Sequence, residues 1–171
     1  ANAGIRPTAD RVRETVFNWL DPHLRGANVL DLFAGSGALG FESASRGAAS
    51  VVLVERSRGT AQHLQALVTE LDAEEVTVRN EDARGYLASP DRLFPQQYDV
   101  VFLDPPFVEQ ELVKLCSYLE QGSWLSPVAH VYLEMASTTE FPDLPENWAL
   151  LKNKTAGQVC YAPVSYTHLR A

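Results

Sequence analysis

The chain is short of cysteine, of basic charge and of long apolar runs. Its 171 residues include two cysteines, Cys116 and Cys160, which fit neither a disulfide framework nor the paired spacing of a zinc site. A reducing, cytoplasmic setting is expected. No stretch approaches the roughly 20 apolar residues that span a bilayer, and the opening ANAGIRPTAD has no secretory apolar core, so no membrane partner is expected. His23, His63, His130 and His168 are scattered without ligand spacing, and no metal is expected. Lys and Arg number 14 against 22 Asp and Glu, a formal charge of −8. That balance argues against a general nucleic-acid binder, because neutralising phosphates takes basic side chains. Net charge describes the whole surface and not one face, and Arg6, Arg11 and Arg13 cluster near the start.

What is present is an ordinary one-domain composition, 46% hydrophobic and 21% charged. Thr8 is placed to cap a helix whose apolar positions Val12, Val16, Trp19 and Leu20 share a face, ending near Asp21–Pro22. Short apolar runs then alternate with helical stretches. Strands are expected over 27–34, 50–56, 76–82, 98–104 and 130–136. Helices are expected over 37–47 and 58–71, in a short turn to Leu87, and in ELVKLCSYLEQG, which Gly122 ends. Such alternation predicts an α/β fold with a parallel sheet covered on both faces. The last part, WALLKNKTAGQVCYAPV, has two strand-like runs with no helix between them and reads as an antiparallel hairpin.

In sheets of this kind ligands bind beyond the C-terminal strand ends. After the first strand comes DLFAGSGALG, where Gly35, Gly37 and Gly40 satisfy the spacing G-x-G-x-x-G, and Glu55 follows 20 residues after Gly35. The plain alternative is a tight turn with a packing glycine; loop and acid together favour a nucleotide-like ligand. Hydride enzymes and methyl-transfer enzymes both use such a loop. Asp31, immediately before it, suits a cationic amino group and would sit badly beside a pyrophosphate. Glu55 is placed to accept from ribose hydroxyls and Asp82 from an adenine amino group, although an acid there also serves as a helix cap. Ser36 lacks the G-x-S-x-G setting of a hydrolase nucleophile.

The fourth strand ends in YDVVFLDPPF. A carboxylate at the edge of an apolar interior needs donors, and the prolines after it suit the end of a central strand. Taken in order, DLFAGSGALG, VLVERS, NEDA and VFLDPPF resemble the class I S-adenosylmethionine-dependent methyltransferases, and DPPF resembles the [N/D/S]-P-P-[Y/F/W] motif of those that modify nitrogens. IRPTADRVRETVFNWL and AGQVCY narrow the resemblance to the RsmD family of 16S rRNA guanine-N2 methyltransferases, over about residues 4 to 161.

This resemblance implies a Rossmann-like, mostly parallel seven-stranded sheet with helices on both faces and a C-terminal antiparallel hairpin, in a single domain over 1–164. It implies S-adenosylmethionine held by Asp31, Phe33, Ala34, Gly35, Ser36, Gly37, Gly40, Glu55, Arg56, Asp82 and Ala83. Catalysis falls to Asp104, Pro105, Pro106 and Phe107, and RNA contact to Arg6, Thr8, Arg11 and Arg13. The implied partner is 16S rRNA in an assembling small subunit with ribosomal proteins, and the implied state a monomer. Relatives carry a further N-terminal hairpin ahead of Ala1, while the closing SYTHLRA (165–171) lies outside the family pattern and reads as an artefact. Gln158, in the shared AGQV, has no derivable role. The rivals are an adenine-N6 DNA or protein-glutamine methyltransferase, a nicotinamide oxidoreductase on the same loop, and a noncatalytic RNA-assembly factor.

Overall fold

The computed structural model describes residues 7–88, 97–104, 109–136, 144–151, 154–156 and 159–167. Helix α1 (Pro7–Leu24) begins on a proline, whose missing N–H would have had no helical acceptor in the first turn. Thr8 therefore lies inside the first turn and is not the cap expected of it. The helix also runs through Pro22 and ends two residues later, because so near the end the proline removes little of the helical bonding. Its core stripe is Val16, Phe17, Leu20 and Leu24, all buried.

There follow β1 (Asn28–Asp31), α2 (Ala38–Ser45), β2 (Ser50–Val54), α3 (Arg58–Leu71), β3 (Val76–Arg79), α4 (Ala83–Ala88), β4 (Tyr98–Leu103), α5 (Glu109–Gln121) and β5 (Leu125–Ala136). β6 (Trp148–Leu150), β7 (Lys154–Ala156) and β8 (Val159–Thr167) close the chain. The strand order is β3-β2-β1-β4-β5-β8-β6, with β7 on β8. The first five strands are parallel; β8 runs antiparallel to β5, β6 and β7. The sheet among the described residues thus has eight strands where seven were expected. β8 continues to Thr167, which faces Val128 of β5, so residues 165–167 pair with the sheet and do not fall outside the domain. Ser, Tyr and Thr there are ordinary strand formers with a long β5 to pair with.

The pleat sorts each strand onto two faces. Val29, Val51, Leu53, Val100, Phe102 and Tyr132 meet α1, α2 and α3. Leu30, Leu32, Val52, Val101, Leu103 and Val131 meet α4 and α5. Helix α2 lies close on the sheet because Gly40 has no side chain: a Cβ there would stand 2.2 Å from Leu53 Cδ2 and 3.2 Å from Val51 Cγ1. Leu53 is fully buried and has little room to yield. Gly40→Ala should destabilise the fold by about 1–3 kcal/mol. An unchanged urea midpoint would refute the packing role. Strand order reverses between β1 and β4, and the site lies beyond their C-terminal ends.

Candidate active site

The sheet face that meets α1, α2 and α3 ends in acids on four neighbouring strands. Glu55 lies two residues beyond Leu53 in β2, Asp31 two beyond Val29 in β1, Asp104 two beyond Phe102 in β4, and Glu134 two beyond Tyr132 in β5. Apolar residues below bring the strands together, and the alternation carries one carboxylate from each strand to the same edge.

Asp31 is 1% exposed. Its Oδ1 accepts from the Phe33 N–H at 3.2 Å. Burial pushes its acid up to about 7; the Phe33 N–H opposes this, and the charge of Glu55 adds to it. Asp104 is pushed up to about 8, chiefly by burial, then by the negative charges of Glu134 and Asp31 and by a side-chain hydrogen bond with Glu134. The Tyr132 hydroxyl donates to Glu134 Oε1.

The outer acids are tied to backbone. Glu55 Oε1 accepts from Gly35 N and its Oε2 from Ser57 N, both at 2.9 Å. The glycine loop is thereby clamped to the end of β2. Asn80 supports the same corner, donating through Nδ2 to the carbonyls of Glu55 at 2.9 Å and Arg56 at 3.0 Å. Asp82 caps α4, its Oδ2 accepting from Arg84 N at 3.2 Å and Gly85 N at 3.4 Å. Arg84 then grips Glu111 with two bonds of 2.6 and 2.5 Å, joining α4 to α5.

A cavity of about 320 Å3 opens among these groups. Of the residues expected at a cofactor site, Phe33, Gly35, Glu55, Arg56, Asp82 and Ala83 line it, together with Asp104. Leu32 and Val54, unforeseen, add apolar wall from the strand ends. Asp31 lies buried and is not part of the lining. Ala34, Ser36, Gly37 and Gly40 do not line it either: the Gly37 backbone, at φ 83°, starts α2, and Gly40 packs on the sheet. Sequence reasoning also missed Glu134 and Asn80. Pro105, Pro106, Phe107, Arg6 and Gln158 lie outside the described residues. Thr8, Arg11 and Arg13 belong to α1; Arg13, whose side chain is described, is not part of the cavity lining. Among the described residues no cluster is placed to hold a metal ion, and no helix is long and apolar enough to cross a membrane.

A family model described as "Conserved hypothetical protein 95" matches residues 1–165. Ribosomal RNA small subunit methyltransferase D of Escherichia coli K12 is 43% identical over 158 residues, covering 92% of this chain and 78% of that protein. The chain belongs to this family, the RsmD methyltransferases. The RsmD protein of Haemophilus influenzae is 42% identical over 164 residues, covering 92% of this chain and 81% of its own length. The solved structure of a putative methyltransferase, yhhF of E. coli, superposes with a TM-score of 0.88 at 39% identity, over 96% of this chain and 90% of that one. This RsmD-family chain therefore has the α/β methyltransferase fold, with its five parallel strands and flanking helices.

Proposed function

We propose that the protein transfers a methyl group from S-adenosylmethionine to the exocyclic N2 of a guanine in small-subunit ribosomal RNA. One observation carries the reading: a half-buried carboxylate, Asp104, opens on the same cavity as Glu55 and Asp82. The names of the relatives supply the RNA class. The donor set fits the cofactor. Glu55 and Asp82 on the cavity wall suit a ribose hydroxyl pair and an amino-bearing base, each Glu55 oxygen retaining a lone pair beyond its backbone bond, while Asp31, buried behind the wall, offers negative charge to a cationic amino end. A pyrophosphate would be repelled by the same acids. Leu32, Val54 and Phe33 offer apolar contact to a base.

S-adenosylmethionine, when bound, supplies an electrophilic methyl group. The protein holds the acceptor amine against it: Asp104 accepts one N–H, orienting the nitrogen lone pair, and takes up the proton that the nitrogen then loses. Pro105, Pro106 and Phe107 complete that clasp in this reading. Arg6, Thr8, Arg11 and Arg13 belong to the RNA contact. The same reading takes the sheet as seven-stranded with a C-terminal antiparallel hairpin in one domain, counting β7 as an appendage of β8. The natural acceptor is an assembling small subunit, whose proteins bring the basic charge this chain lacks, and the enzyme works as a cytoplasmic monomer.

The test is transfer of labelled methyl to small subunits lacking the modification, with naked 16S rRNA and DNA in parallel and nucleoside analysis of the product. Label in a single N2-methylguanine of the subunit is the expected result. Label in N6-methyladenine of DNA, or none despite S-adenosylhomocysteine binding, would overturn the proposal.

A further inference from the structure

We infer that Glu134 is a positioning residue for Asp104: fixed by the Tyr132 hydroxyl and set beside Asp104 by the strand register, it orients the Asp104 carboxyl and its negative charge favours the uptake of a proton there. The amine's identity rests on the proposed function; the pairing of the two acids does not. β4 and β5 are parallel, with Phe102 opposite Tyr132 and Leu103 opposite Leu133. The next residue of each strand, Asp104 and Glu134, therefore stands beside the other, with the two carboxyl groups within hydrogen-bonding reach. Two carboxyl groups can bond to each other only when one carries a proton.

Tyr132 is held rigidly. Its buried ring meets Phe102 edge-on, with centroids 6.1 Å apart and planes at 68°, and Phe102 packs in turn on Phe17 of α1 at 5.8 Å. A phenol stays protonated until roughly pH 10, so its hydroxyl is a constant donor that aims Glu134 Oε1. Asp104 is thus faced by Glu134 from β5 and by Asp31 from β1, and Asp31 in turn by Glu55 from β2. Burial and these neighbours hold the Asp104 acid up at about 8.

When an amine N–H donates to Asp104, Asp104 gives its own proton to solvent and meets the amine as a carboxylate. As the nitrogen gives up a proton, the N–H bond breaks and an Asp104 oxygen gains it, to be returned to solvent afterwards. A lone, solvated aspartate would be a poor acceptor near neutrality, with a reference value of about 3.9. Burial and the negative charge of Glu134 beside it make Asp104 a better one.

The test is a carbon-13 carboxyl titration of the cofactor-free protein by NMR, with Asp104 assigned from an Asp104→Asn spectrum, in wild type and Glu134→Gln. The midpoint of Asp104 should fall by ~1 pH unit or more in Glu134→Gln. In labelled-methyl assays kcat should fall roughly tenfold or more, while KM and the Kd for S-adenosylhomocysteine hold steady. If Glu134→Gln does not fold, Tyr132→Phe, which loses one oxygen from a buried ring, serves the same test with smaller displacements of midpoint and kcat. An unmoved Asp104 midpoint in whichever variant folds overturns the inference. A wild type inactive on ribosomal RNA would overturn the proposed function instead, with the titration still deciding the role of Glu134.

Discussion

Asp104→Ala should lower kcat for methyl transfer by ~10²- to 10³-fold, the scale lost when one fixed polar group at a reacting centre is removed. Binding of S-adenosylhomocysteine, measured by calorimetry, should stay within a few-fold. The separation follows from position: the ties that shape the cofactor end of the cavity run from Glu55 to Gly35 and Ser57 and from Asp82 to Arg84 and Gly85, and none passes through Asp104. Asp104→Asn divides the two roles, because an amide oxygen still accepts from the amine but cannot take its proton. Equal activity in Asp104→Ala and wild type would end the assignment; an equal loss of binding and turnover would make Asp104 a structural residue of the cavity.

The second large effect concerns Asp31. Asp31→Ala should weaken S-adenosylhomocysteine, which keeps the cationic amino group, by ~10- to 100-fold, the value of a charge-assisted hydrogen bond. The pH dependence has a definite sign. In the empty site Asp31 holds its proton up to about 7, and a cationic ligand favours the ionised form, so binding below that pH releases a proton. Affinity should rise about tenfold per pH unit up to about 7. It should fall again above roughly 7.7–8.0, where the ligand's own amino group loses its charge. Calorimetry in buffers of different ionisation enthalpy would detect the released proton, and Asp31→Asn should abolish the acid limb. A flat profile between pH 5 and 7 in wild type would show that Asp31 does not face the amino group. Without ligand the same acid opposes folding as pH rises: unfolded it ionises near 3.8, folded only at about 7. Its stabilising contribution is full below the first value and lost as pH rises through the second.

The acids of β1, β2 and β4 were legible because each ends an apolar run, where alternation fixes the face and the parallel sheet fixes the edge. Glu134 was not, although it ends its run in the same way. HVYLEMA carries no motif, and the residue acquires meaning only from the register that sets Leu133 beside Leu103, a relation across about 30 residues of chain that no local pattern encodes. The glycine fingerprint marks the loop but not the work of each glycine. Its three glycines do different things: Gly35 lines the cavity, Gly37 turns the chain into α2, and Gly40 admits Leu53. Spacing identified the loop without distinguishing ligand contact from packing. The ends of elements were the least legible. Pro22 looked like a stop and is tolerated because little helix follows it, while Ser165 to Thr167 looked foreign and are recruited by the length of β5.

The row of carboxylates across β2, β1, β4 and β5 bears on turnover. S-adenosylmethionine enters with a sulfonium charge in addition to its amino group, and S-adenosylhomocysteine leaves without it. Acids in a partly desolvated cavity attract the first more strongly than the second. The loss of that charge on transfer favours exchange of the spent ligand for a fresh one.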